Sequence, residues 1–150
     1  MIFQGTNNQT VELRIIDYQF PKITNCEYDS NWPIIYLNVK SDFGNWQYTD
    51  PSLLVKEVLE IIDWLKKIYK NETPKYKCLE FIEPNLAFEL INTGVDFNTI
   101  RIKFDLESKP QNADDEKDYF VDCNFNNSEL NKIIEGLKKE LKPYLKRAVK

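Results

Sequence analysis

Apolar and polar residues alternate along most of this chain, and the period of that alternation assigns the elements. Val11, Leu13 and Ile15 alternate with Glu12 and Arg14, the two-residue period of a half-buried strand. The apolar phase then shifts to Ile16, Tyr18 and Phe20, which predicts a bulge near Ile15 and Ile16 or burial on both faces. Residues 25–31 are polar and turn-like. PIIYLNV (33–39) reads as a second strand with Pro33 at its first position, where a missing N–H is tolerated. SDFGNW (41–46) reads as a hairpin connection into a short strand around 46–48.

The period then lengthens. Leu54, Val58, Ile61, Leu65 and Ile68 recur at steps of four and three, one stripe of a helix. Asp50 is the expected N-cap and Pro51 the expected first helical residue, with Asn71 and Thr73-Pro74 ending the element. Strands are predicted over 76–82, 86–90, 100–106 and 119–125; the third alternates strictly, Ile100, Ile102, Phe104 and Leu106 against Arg101, Lys103, Asp105 and Glu107. Asn127 or Ser128 is expected to cap a last helix carrying Leu130, Ile133, Ile134, Leu137, Leu141 and Leu145, kinked or shortened by Pro143. Short turns between successive strands require antiparallel pairing. The expected fold is α+β: a mainly antiparallel sheet of about six or seven strands with two amphipathic helices packed on one face, in one domain over residues 1–150.

Composition narrows the chemistry. With 150 residues the chain suits one ordinary domain, and 20 aromatic side chains supply its core. There is no histidine, which excludes Ser-His-Asp and Cys-His catalysis and histidine-bound zinc. Cys26, Cys78 and Cys123 lie far apart with no CxxC spacing, so neither a metal knuckle nor a redox pair is indicated. No run is long enough to span a membrane and MIFQG lacks the basic-then-apolar form of a signal peptide, so a reducing cytosol is expected. The net charge of −4 is unevenly spread. Residues 1–127 hold 13 basic and 21 acidic side chains, a difference of −8, and residues 128–150 hold 7 and 3, a difference of +4. An acidic body repels nucleic acid and draws a basic protein.

Candidate sites are few. Glu80, Glu83 and Glu89 flank one turn, and a two-residue Pro84-Asn85 loop would pair Glu80 with Glu89 in the manner of a glycosidase carboxylate pair. Proline cannot supply the positive φ that such a loop wants, so a longer loop and solvated edge charges are expected. Asp114, Asp115, Glu116 and Asp118 fall within five loop residues. A solvated charge run is their default reading and a docking surface for a basic partner comes second. Calcium ranks third, since spaced ligands and a turn glycine are missing. Trp32 and Trp46 stand beside polar turns, where tryptophan closes a core or anchors a partner; core closure ranks first. The cations Lys138, Lys139, Lys142, Lys146, Arg147 and Lys150 complement the end of the last helix. No catalytic, cofactor-binding or metal-binding residue is assigned.

Several segments form a series: VELRIIDYQFP (11–21), YDSNW (28–32), GNW (44–46), DPSLL (50–54), WL (64–65), FIEPNL (81–86) and, more loosely, DLESKP (105–110). In this order the chain resembles WapI-type immunity proteins. That resemblance implies a cytosolic antidote that binds the C-terminal domain of a contact-delivered polymorphic toxin, commonly an RNA-cleaving nuclease, without chemistry or cofactors of its own. It assigns no contact residues: Asp29, Asn31, Trp32, Glu83, Pro84 and Asn85 belong to its motifs as turns or as interface. The alternative is a small-molecule-binding or enzymatic α+β domain with its ligand between the sheet and the first helix. A filled sheet–helix core would favour the inhibitor.

Overall fold

A computed structural model describes residues 1–144 and residue 147. Strand β1 (Ile2–Gln4), β2 (Thr10–Tyr18), β3 (Pro33–Ser41) and β4 (Gly44–Asp50) form one antiparallel sheet in chain order, and helix α1 (Val55–Tyr69) follows. Strand β5 (Cys78–Glu80), β6 (Leu86–Thr93), β7 (Asn98–Phe104) and β8 (Tyr119–Phe125) form a second, and helix α2 (Asn127–Leu141) follows. Each half is thus a four-strand meander ending in a helix of 15 residues. The α+β class, the antiparallel pairing and the two helices are as the periodicity predicts; among the described residues the strands number eight and divide into two sheets.

The predicted phase shift in β2 is a bulge. Ile15 pairs with Ile35, the register slips, and Asp17 pairs with Ile34, leaving Ile16 facing solvent. The Ile15 N–H next to it donates to Glu140 Oε2 of α2 at 3.2 Å, so a backbone group freed by the irregularity finds an acceptor. The 81–85 loop is long, as proline chemistry requires: Glu80 pairs with Ala87 while Glu89 lies opposite Cys78.

Both sheets bury one face in a common core. Phe3 carries β1 into the second half, its ring 5.8 Å from Phe88 and 6.5 Å from Phe125. Trp46 of β4 meets Phe104 and Tyr119 edge-on at 5.5 and 6.3 Å. At Gly5 the halves pack tightly: a Cβ there would stand 2.6 Å from Val121 Cγ1 and 3.2 Å from the Asp122 carbonyl. Val58, Ile61, Leu65 and Ile68 of α1 and Leu130, Ile133, Ile134, Leu137 and Leu141 of α2 complete the core as their spacing predicts, while Val55 takes the place expected of Leu54, which is buried just before the helix starts.

The helix starts differ from expectation. Asp50 ends β4 instead of capping α1, since Trp46 and Tyr48 keep strand alternation to that point and the Tyr48 hydroxyl donates to Asp50 Oδ2 at 3.2 Å. Leu54 takes the N-cap position with no side-chain acceptor of its own, and Glu57 makes the reverse half of a capping box: the Leu54 N–H donates to Glu57 Oε2 at 2.8 Å. In α2 the cap is Asn126, one residue before the expected pair, in a reciprocal box with Glu129 at 2.8 Å each way. Pro143 lies in a single 3-10 turn (Lys142–Tyr144) after α2 ends at Leu141. Leu145, Lys146 and Lys150 lie outside the described residues.

Candidate partner-binding surface

The polar residues of the motif series are largely consumed in holding the two halves together. Asn85 is 1% exposed. Its amide donates to the Tyr48 hydroxyl at 3.1 Å and to Glu107 Oε2 at 2.8 Å, and its carbonyl accepts from the Asp105 N–H at 2.9 Å and from the Ser108 hydroxyl. The Ser108 carbonyl in turn accepts from Trp46 Nε1 at 2.8 Å. GNW, FIEPNL and DLESKP therefore meet in one network, each donor buried only because its acceptor is in place. Burial first, and then the charges of Asp50 and Glu107, raise the Tyr48 phenol well above its ordinary range, so it stays protonated.

YDSNW does the same work at the other end of β3. The Asn31 amide donates to the Glu27 carbonyl at 2.8 Å and its oxygen accepts from the Arg147 N–H at 2.7 Å. The Arg147 guanidinium donates to the carbonyls of Pro21 and Ile23 at 2.8 and 2.7 Å and stacks on Tyr18 at 3.5 Å. Ser30 Oγ accepts from the Cys26 N–H at 2.9 Å. These motif side chains act as internal braces, and the available surface is made by other residues.

The most developed part of that surface is the outer face of the second sheet. Register lays two rows across it: Glu80–Ala87–Lys103–Phe120 and Cys78–Glu89–Arg101–Asp122. Within them Arg101 makes a bidentate pair with Asp122 at 2.7 and 2.9 Å and lies 3.8 Å over the Phe120 ring. Lys103 reaches diagonally to Glu89 at 3.0 Å. Both cations are held further into their charged forms chiefly by those carboxylate hydrogen bonds. Burial raises the Cys78 thiol and, helped by the charge of Asp122, pushes the buried Cys123 thiol up to about 12, which leaves Cys123 the less reactive of the two.

At the end where β5 stops and β6 starts, this face becomes a groove of about 520 Å³. Glu80, Pro84, Ala87, Arg101, Lys103 and Phe120 contribute to its lining, and the 105–118 connection adds Lys109, Asp115, Lys117 and Asp118. That connection is ordered by its own turns. The Asp114 N–H donates to the Tyr119 hydroxyl at 2.9 Å, the Glu116 N–H to Asp114 Oδ1 at 3.0 Å, and Lys109 pairs with Asp105 at 3.2 Å.

Of the residues singled out in the sequence, the structure brings Asp115 and Asp118 into the groove and leaves Asp114 and Glu116 exposed on the same loop. Trp46 is buried and sits behind the groove, against Phe104 and Tyr119, which also line it; core closure is its role. Trp32 is half-buried at the end of the 3-10 turn Asp29–Asn31 and is not among the groove residues. Arg101, Lys103, Ala87 and Phe120 escape sequence reasoning. Alternation does face them outward, but only the register of strands far apart in the chain places them together.

The model of the WapI-like immunity protein family matches residues 1–145. No curated protein and no solved structure matches the chain.

Proposed function

Because the chain belongs to the WapI-like immunity protein family, we propose that it is a cytoplasmic immunity protein that binds the C-terminal domain of a cognate polymorphic toxin and neutralises it by steric and electrostatic occlusion. The toxin domain in this reading is a nuclease delivered by contact between bacteria, and its basic substrate groove is what the immunity protein covers. Family membership carries the proposal. Three further features support it. The first 127 residues hold an acid excess of eight, which opposes direct nucleic-acid binding and speeds encounter with a basic protein. The motif polar groups Ser30, Asn31, Asn85 and Ser108 are engaged in the fold, which leaves contact to surface residues that can vary without unfolding it. The contact between α1 and the sheets is filled by Leu53, Val55, Val58, Ile61 and Leu65, where the ligand of a small-molecule-binding or enzymatic domain would have to sit.

Within this proposal, Asp114, Asp115, Glu116 and Asp118 form the charged rim of the contact. Nanomolar binding requires about 12 kcal/mol, and desolvated anchors within a charged rim are its usual source. The test is co-expression with the toxin domain encoded beside this chain. Protection of the host and a co-purified complex are expected. Unchanged killing with no complex overturns the proposal.

A further inference from the structure

Resting on that reading of a protein partner, we propose that the groove over Ala87 receives one long basic side chain, lysine or arginine, presented by the partner. Most of the cations around the groove are already engaged. Arg101 is held by Asp122 and Phe120, Lys103 by Glu89, and Lys109 by Asp105. Glu80, Asp115 and Asp118 line the same groove and make no ion pair among the described residues; Lys117 is the one lining cation in the same condition. With Asp122 and Glu89 counted beside the cations they hold, three carboxylates outside any ion pair against one such ammonium leave a balance of −2, and Asp118 also acts on Arg101 through space. An entering carboxylate meets like charge, and an entering apolar group strips water from carboxylates without pairing them. A cation does neither.

Shape agrees with charge. In the row Glu80–Ala87–Lys103–Phe120 the alanine is the low point, because its methyl group stands between two long side chains. Pro84 and Phe120 offer apolar surface to the methylene stem of a lysine or arginine, while the head group stays among the carboxylates. Arg101 is fixed from two sides before any partner arrives, so the floor loses little freedom on binding.

The test fills the groove without altering its charge. Ala87→Trp, checked for folding by circular dichroism and thermal melting, is expected to weaken the complex with the toxin domain by about 100-fold, the scale of losing a buried anchor. Asp115→Asn with Asp118→Asn, which leaves the backbone turns intact, is expected to weaken it by about tenfold. In parallel, Nα-acetyl-arginine methylamide is titrated into isotopically labelled protein with the norleucine analogue as control. Saturable shifts at the Ala87, Lys103 and Phe120 amides are expected for arginine alone, and they vanish in Ala87→Trp. If parent and Ala87→Trp bind the toxin domain equally, the groove inference is overturned and the proposed function stands. If the parent binds no toxin domain, the proposed function fails; the arginine titration then decides the groove, and the absence of selective shifts rejects it.

Discussion

Glu57 gives the sharpest test of how this fold is held. The residue is 3% exposed, yet no cation pairs with its carboxylate among the described residues. It is stabilised instead by two backbone donors, the Leu54 N–H at the start of α1 and the Ile82 N–H of the 81–85 loop at 2.9 Å. The position at a helix N-terminus also suits a negative charge. One side chain therefore caps the helix and fixes the loop that contributes Pro84 to the groove. Glu57→Ala leaves both donors without an acceptor. The Leu54 N–H is buried, and its loss costs about 2 kcal/mol; the Ile82 N–H is partly accessible to water and costs about 1 kcal/mol. Alanine returns a few tenths through helix propensity, so the net expectation is a loss of about 3 kcal/mol.

Glu57→Gln separates hydrogen bonding from shape. Its amide oxygen satisfies one donor, but its NH₂ faces the other, so a loss of about 1.5–2 kcal/mol is expected. Urea unfolding followed by tryptophan fluorescence measures both values, with unchanged m-values as the check that the transition is comparable. Hydrogen exchange at the Leu54 and Ile82 amides should rise in the alanine variant. An alanine variant within about 0.5 kcal/mol of the parent, or a glutamine variant less stable than the alanine one, would refute the reasoning.

Three further outcomes are expected. Gly5→Ala should lose about 1–3 kcal/mol through overlap with Val121 and the Asp122 carbonyl, read as a lower urea midpoint; an unchanged midpoint would mean that the halves separate freely at that contact. At pH 8 a thiol-reactive dye should label Cys26 and Cys78 well before Cys123, whose thiol is buried and raised to about 12; equal labelling rates in the native protein would contradict that burial. Reversing Asp114, Asp115, Glu116 and Asp118 to lysine should slow association with the toxin domain steeply at low salt and less at high salt, and equal association rates would remove the loop from the contact.

What the sequence discloses follows from the range over which each interaction acts. The β2 bulge was legible because a phase shift is local: two adjacent isoleucines cannot share one face of a strand, and Ile16 turns to solvent. The long 81–85 loop was legible because proline fixes its own φ. Strand β1 was not, since three residues are too few for a period. The division into two sheets was not, since alternation states which side chains face inward but not which strand lies beside which. The start of α1 is not legible, because Asp50-Pro51 has the local form of a helix start while Glu57, which holds the Leu54 N–H, is fixed in part by a loop 25 residues further on. The groove was the least legible feature. Asp115 and Asp118 stand out in the sequence, but their relation to Glu80, Arg101 and Lys103 is set by register and by the path of the 105–118 connection.

That path links the scaffold to the surface. The Asn85 amide and carbonyl hold Glu107, Asp105 and Ser108, and Trp46 holds the Ser108 carbonyl, so the start of the connection is fixed from the buried side. The Tyr119 hydroxyl fixes its far end at Asp114. Between Asp114 and Tyr119, Asp115, Glu116, Lys117 and Asp118 are exposed, and no ion pair ties them among the described residues. Their replacement is expected to change stability by less than about 0.5 kcal/mol, whereas loss of Asn85 strands several buried groups at once. An inhibitor that must match one partner gains from this division. Its contact chemistry can change residue by residue while the braces that position it stay the same.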